Sequence, residues 1–600
     1  MENAHSGEHA KKGFFARIPF QIKAAAVVLL IYLGIAFSLY AKLKHLPGPY
    51  YGGDLYSHHG FALNYIANGF WTDPFFINNY AFYPWLGNYL FIALHWVTGM
   101  SVMNAEMFVG LLTVTLSAIA YYFLGWQLFK SRQPAVGDEL EDARRRSSNH
   151  TWAFVFFLLS LVTRGIPDGA PNITAWMITI PLWFAFWLRA EETHTTKDKV
   201  LAGVFMGCTA LTHVAYFLAA MAVFLFTIVV ETLRQKKWKD AVKTYVPMLA
   251  VGFVVSLLFY GPILVKYQAK TLNPLFDYNG PNISTLGVGW MFTTLYHYTF
   301  DTSTYATVIL SILTILGLIV CALNWSKKTA RYALLWYIAG ALAPLHHLIT
   351  RPLLGKGVLP GHLWGIWISL LVFAVYGIRT VMQYAEKKWP SANAQAIILV
   401  GVLILSGFLY STQYDNYNAN PWTQFGERMD PTTQAWLSAG DWMRAHTGIN
   451  DVVLSGDETC FAMNGMSGRK CVFVRRTHAN YFVDVEQRYA DGIVMLYGND
   501  SALTKKLLAD YQVDYLLVDS YMKQFPILVD AKFADYLTQN NVTFTRVRSV
   551  KDPATPTASV FDMLSVSAQN LNKALEPRLS EVAHFNAGDQ PYIRLFKVNP

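Results

Sequence analysis

Six hundred residues, of which 53% are hydrophobic and only 14% charged, exclude a soluble globular protein with an ordinary charged surface. The formal net charge of +9 comes from short segments between apolar runs, because the residues after about Gln413 carry nearly balanced acids and bases. Such a pattern encodes membrane topology and gives no nucleic-acid partner, which would need a basic patch on one folded face.

In chain order, Lys11, Lys12, Arg17 and Lys23 precede an apolar run at 24–40 that no small-residue cleavage site follows. It reads as a first span with a cytoplasmic start. Further stretches of crossing length lie at 103–128, 151–164, 173–188, 242–265, 305–324, 332–350, 362–378 and 394–410, and 200–233 is long enough for two short spans. With these about eleven spans, the inside segments hold about 23 basic residues and the short outer loops about 7. Residues 84–98 are also apolar, but a span there would put Arg144, Arg145 and Arg146 outside and invert every later loop. We read them as a helix in the outer interface, anchored by Trp85, Tyr89 and Trp96.

The expected fold is therefore a polytopic α-helical membrane module over 1–410, with a long first outer loop at 41–103. Residues 411–600 form an extracytoplasmic soluble α/β domain, because helices near 432–446 and 501–511 alternate with strands at 452–454, 472–474 and 515–518. The segment 451–457 reads as a buried strand whose polar end, Ser455-Gly456-Asp457-Glu458, emerges at a loop. From about Lys551 the pattern is too irregular to assign. Cys208 and Cys321 lie in apolar runs, whereas Cys460 and Cys471 in the tail can pair in an oxidising compartment and fit no zinc spacing.

The first outer loop carries Gly52-Gly53-Asp54-Leu55-Tyr56-Ser57-His58-His59, then Asp73-Pro74 and Tyr83-Pro84. If a helix begins at Asp54, that carboxylate and the His58 imidazole share a face, where they can hold a metal or act as base and orienter. The competing reading is an N-cap aspartate with solvated histidines. Asp168 sits in a Pro-Asp-Gly outer loop that is equally a plain turn. His213, His346, His347 and Arg351 reach the same side at span ends, where ionisable residues facing a cavity are functional candidates. Arg351, Lys356 and Arg164 can hold a phosphate or contact lipid headgroups. In the tail, Arg469, Arg475, Arg476, His478, Asn480 and Arg488 crowd a short segment, read as a solvated basic face or as a wall over the membrane site.

Taken together, Gly53-Asp54 just after the first span, the Tyr83-Pro84 helix entry, Asp168, Thr212-His213 and the outer tail resemble the GT-C superfamily of membrane glycosyltransferases. The segment Trp442-Met443-Arg444-Ala445-His446-Thr447 before Val452-Val453-Leu454-Ser455 is similar to the entry into the acceptor domain of the oligosaccharyltransferase catalytic subunit. Where that subunit carries Trp-Trp-Asp-Tyr-Gly, this chain has Ser455-Gly456-Asp457-Glu458-Thr459.

The resemblance implies transfer of a sugar from a polyprenyl-phosphate-linked donor to a glycan, lipid or protein acceptor outside the membrane. Asp54, His58 and Asp168 would be catalytic, and a divalent metal, Mg or Mn, would sit on Asp54 and Asp168. Arg351, Arg164 and Lys356 would take the donor phosphate. His213, His346, His347, Asp457, Arg475, Arg476 and His478 would form the acceptor site or its wall. The alternatives are a true oligosaccharyltransferase acting on Asn-X-Ser/Thr, and a transporter or lipid-binding protein, which predicts charges near mid-membrane.

Overall fold

The computed structural model describes residues 18–130, 139–163, 165–166, 170–268, 270, 272, 292–293, 295–346, 365–389, 393–549 and 561–599. Helices α1 (Phe20–Tyr40), α2 (Asp54–Asn68), α3 (Leu86–Thr98), α4 (Val102–Phe129), α5 (Glu139–Val162) and α6 (Pro171–Thr193) open the chain. Helices α7 (Thr196–Thr212), α8 (Val214–Gln235), α9 (Trp238–Tyr267), α10 (Tyr305–Leu323), α11 (Lys328–Leu342), α12 (Trp367–Lys388) and α13 (Asn393–Ala419) follow.

Among the described residues, eight helices are each long and apolar enough to cross a membrane: α1, α4, α6, α8, α9, α10, α12 and most of α13. The shorter α7 and α11 and the apolar part of α5 occupy the remaining predicted stretches. The chain is an integral membrane protein. The thirteen residues of α3 rise about 20 Å, short of a crossing.

Close helix contacts come from small residues, as lipid offers no hydrophobic drive between helices. At the crossing of α10 and α12, Gly317 and Gly377 let the Phe373 and Leu313 carbonyls into space a Cβ would fill. The break between α7 and α8 falls at His213, which is extended (φ −158°, ψ 114°) and caps α8. Among the described residues, the buried charges within the helices spanning or approaching a crossing lie near helix ends: Glu106 in α4, Asp198 in α7, Glu231 in α8 and Arg331 in α11, and Asp73 is buried in the first loop.

After α13 come α14 (Pro421–Glu427), α15 (Pro431–His446), β1 (Val452–Leu454), α16 (Asp457–Ser467), β2 (Lys470–Cys471), α17 (Val485–Tyr497), α18 (Ser501–Asp510) and β3 (Val513–Asp519). Strands β4 (Ile527–Asp530), β5 (Thr545–Ser549), β6 (Phe561–Val566), β7 (Leu579–Ala587) and β8 (Gln590–Val598) complete the described chain. The main sheet runs β2-β1-β3-β8-β7, with β1 parallel to β2 and β3, and β8 antiparallel to β3 and β7. Strands β4-β6-β5 form a second, antiparallel sheet.

The strand expected at 472–474 is displaced to Lys470–Cys471. One further bond, Val472 N to Val453 O at 3.1 Å, extends the pairing before the chain leaves the ladder, carrying Arg475 toward the first loop. The unassigned C-terminal stretch supplies β6, β7 and β8; β7 is largely exposed along its length, so no clean alternation marked it.

Candidate active site between the first loop and the tail

Asp54 begins α2, and its N-cap is Gly53, so the carboxylate is free of capping duty. Gly52 stands at φ +134°, and a Cβ there would come 2.9 Å from the Arg475 guanidinium. The glycine pair thus lets the loop pass close to Arg475, which donates to the Tyr51 carbonyl at 3.0 Å and to Glu458 Oε1 at 2.7 Å. Across this junction His478 Nε2 meets Asp54 Oδ1 at 2.9 Å. His478 is held from behind by Thr477 at 3.0 Å and lies against the Phe461 ring.

The Asp54 side chain is 60% exposed. The surrounding protein opposes its ionisation. The hydrogen bond to His478 and the charges of His478, His58 and Arg475 outweigh that and hold its carboxyl below the usual range.

His58 is buried, not solvated. Burial pushes its imidazole down to about 4 against the pull of Asp54, and its Nδ1 has no hydrogen-bond partner among the described residues. Its ring packs on Phe61 and Tyr83, and Tyr83 in turn faces His213 edge-on at 6.1 Å. The structure therefore brings Asp54, His58, His213, Arg475 and His478 to one junction. An apolar cavity of about 290 Å³ opens between helices beside it, with Tyr121, Trp176, Tyr216 and Trp367 in its wall. Tyr216 is also His213's ring neighbour.

Other candidates go elsewhere. Arg476 is buried in the tail, bidentate to Glu486 (2.9 Å for Nη2 to Oε2) and stacked 3.7 Å over Tyr489. Asp457 starts α16 and accepts from Tyr489 at 2.8 Å. Arg164, Asp168, His347, Arg351 and Lys356 lie outside the described residues, as does the side chain of His346. Among the described residues no group of three metal-ligating side chains gathers, and Asp168, expected to hold a metal with Asp54, lies outside them.

The basic tail segment is not a solvated face, because Arg469, Arg476 and Asn480 are buried. Asn480 donates to Asp73 Oδ2 at 2.6 Å and Asn464 to the Pro74 carbonyl at 2.9 Å, while Lys470 reaches the Asp73 carbonyl. These residues clamp the first loop to the tail, as does Tyr51, whose hydroxyl bonds the buried Asp519. Sequence reasoning gave Asp73, Glu458 and Asp519 no role. Besides nearer partners, Asp73 meets Asn480 and Asp519 meets Tyr51 across hundreds of residues of sequence, and nothing in the local sequence announces these pairings.

Helices α2 and α16 cross at Gly60 and Gly465, where a Cβ on Gly60 would overlap the Asn464 carbonyl. Gly60→Ala is expected to lower stability by about 1–3 kcal/mol, read as a drop in the melting temperature of the detergent-solubilised chain. Nearby, His59 is buried and its Nδ1 donates to the Gly465 carbonyl at 2.6 Å. Burial pushes His59 down to about 4, as it does His58.

Because both pKa values fall on folding, the unfolded chain binds more protons between pH 6.5 and 4. The stabilisation is complete above pH 6.5 and lost as pH falls toward 4, at about 3 kcal/mol per histidine. Melting temperature is expected to drop steeply from pH 7 to 4.5, and less so in His59→Gln.

No family model matches the chain, and no curated protein matches it. Among solved structures, the apo oligosaccharyltransferase of Archaeoglobus fulgidus aligns over 85% of this chain and 70% of its own at 13% identity, with a TM-score of 0.50. The apo ArnT of Cupriavidus metallidurans aligns over 90% of this chain and 98% of its own at 14% identity, TM-score 0.49. The arabinofuranosyltransferase AftD from Mycobacteria aligns over 96% of this chain and 41% of its own at 13% identity, TM-score 0.41. With its helical membrane module and the mixed-sheet domain seated on the first loop, the chain has a GT-C-like fold.

Proposed function

We propose that the chain is a membrane glycosyltransferase that moves a sugar from a polyprenyl-phosphate-linked donor to an acceptor on the extracytoplasmic side. The observation that carries this reading is the Asp54–His478 contact, which sets an ionised carboxylate on the loop after the first span against the soluble domain. The fold shared with the Archaeoglobus fulgidus oligosaccharyltransferase supports the reaction class, transfer of a saccharide.

In this reading the isoprenoid lies in the apolar cavity beside Tyr216 and its phosphate faces Arg351, Arg164 and Lys356. Asp54, oriented by His478, takes the proton from the acceptor nucleophile as its atom bonds the anomeric carbon, while the bond to the donor phosphate oxygen breaks. One displacement inverts the anomeric centre. His58 is neutral near pH 7 and carries a positive charge only in the acid range where Asp54 itself titrates. Asp168, His346 and His347 would complete the outer surface, and Asp457 and Arg475 the acceptor side.

Mg or Mn held by Asp54 with Asp168 is the second form of this site. Loss of transfer in EDTA and its return with Mg would assign Asp54 as a ligand, and survival in EDTA would assign it as base.

Two alternatives differ in what they predict. An oligosaccharyltransferase would glycosylate an Asn-X-Ser/Thr peptide; the Ser-Gly-Asp-Glu-Thr segment at 455–459, where that family has its tryptophans, favours another acceptor. A transporter would place charges at mid-membrane, and among the described residues those buried within the helices of the membrane module lie near helix ends. The test is purified full-length protein in nanodiscs given labelled polyprenyl-phosphate sugars with a sequon peptide, a lipid acceptor or a glycan acceptor. Transfer to the lipid or glycan is expected, and no transfer to any acceptor would sink the reading.

A further inference from the structure

At the opposite membrane face from Asp54, α6, α7, α8, α9 and α11 enclose a second, polar cavity of about 490 Å³. The seventeen residues of α7 separate the two, with Thr196 near this cavity and Thr212 beside His213, a rise of about 26 Å.

Two of its acids are committed. Glu191 accepts from Trp187 at 2.8 Å, Tyr245 at 2.7 Å and Tyr332 at 2.9 Å, and pairs with Lys328. Glu231 is bound by Arg331, by Arg234 at 3.0 Å and by Gln235 at 2.9 Å. Of the four lining lysines, Lys328 is committed to Glu191 and three are not. Among the described residues Lys199, Lys237 and Lys243 pair with no carboxylate, and the Lys199 ammonium donates to the Lys243 carbonyl at 3.0 Å. The remaining lining acid, Asp240, stands in the first turn of α9, so free lysines outnumber free acids.

Backbone charge adds to this excess. Helices α7, α9 and α11 start at this face, and α9 and α11 have no side-chain cap on their N-terminal amides. Helices α6 and α8 end here, but their last carbonyls are closed by the left-handed residues His194 and Lys236, whose amides bond Ala190 O at 3.0 Å and Thr232 O at 2.8 Å. Beside the cavity, Leu233, Trp238, Val242 and Val246 present exposed apolar surface for acyl chains.

We propose that this cavity binds a phosphate-bearing anion, the headgroup of an anionic phospholipid or a free phosphate, held by Lys199, Lys237 and Lys243. The apolar flank on α8 and α9 favours the lipid source.

The test is native mass spectrometry of the full chain in detergent, offered phosphatidylglycerol, phosphatidylcholine or inorganic phosphate. Phosphatidylglycerol is expected to be retained about tenfold over phosphatidylcholine. The triple variant K199Q/K237Q/K243Q should lose that preference, and K199R/K237R/K243R should keep it. Lysine-dependent binding of inorganic phosphate without phosphatidylglycerol would assign the free ion as the source. Equal retention of the two lipids with no phosphate adduct, an unchanged preference in the glutamine variant, or loss of preference in the arginine variant would overturn the proposal.

Discussion

Replacing Asp54 by Asn is expected to lower sugar transfer by about 10²–10⁴-fold, the span over which a positioned general base acts. The substitution keeps volume and a hydrogen-bonding group toward His478 but removes the charge that the junction is arranged to keep ionised. Donor binding should change little, because in the proposed reading Arg351, Arg164 and Lys356, and not Asp54, take the phosphate. The measurement is single-turnover transfer from a labelled polyprenyl-phosphate sugar, with donor affinity determined separately. Transfer at the wild-type rate would remove Asp54 from the mechanism. His478→Ala is expected to act in the same direction and less strongly, because it orients the carboxylate and does not itself take the proton.

Arg476→Ala is expected to cost about 3–5 kcal/mol of stability, the usual penalty for leaving one charge of a buried pair unpaired. The guanidinium is bidentate to Glu486, donates to the Leu528 carbonyl at 2.7 Å and covers the Tyr489 ring. Without it the Glu486 carboxylate stays buried and, among the described residues, meets only the Asp530 amide, at 3.3 Å. Denaturant unfolding of the purified chain reads this, with Arg476→Ala/Glu486→Gln as the partner variant that should recover part of the loss. Its neighbour Arg475 should behave differently: Arg475→Lys keeps a charge near Glu458 but breaks the two-toothed grip on that carboxylate and the bond to the Tyr51 carbonyl that ties in the first loop, so transfer should fall more than stability.

Adjacent arginines with opposite duties show where reading residues along the chain stops. Hydropathy runs of crossing length and the alternate placement of Lys and Arg are set by local transfer free energies, and they located the helices of the membrane module in order. The same parity reasoning kept 84–98 out of the membrane, where the structure has a helix of thirteen residues. Asp54 was legible because its glycines and its place just after a span are local features. That His58 shares a helix with Asp54 was legible, but its burial was not: nothing in the loop says that Phe61 and Tyr83 close over it.

Which of the clustered tail bases leave the solvent was illegible for the same reason. Asp73, Glu486 and the Leu528 carbonyl, which take them out of solvent, are contributed by distant segments. By itself, then, the sequence determined the membrane helices, the α/β character of the tail and the acid at the start of α2, because each depends on the energetics of a contiguous stretch. Only the tertiary structure decided that His478 faces Asp54 and Arg476 does not, because a side chain's partner depends on which segments fold against it.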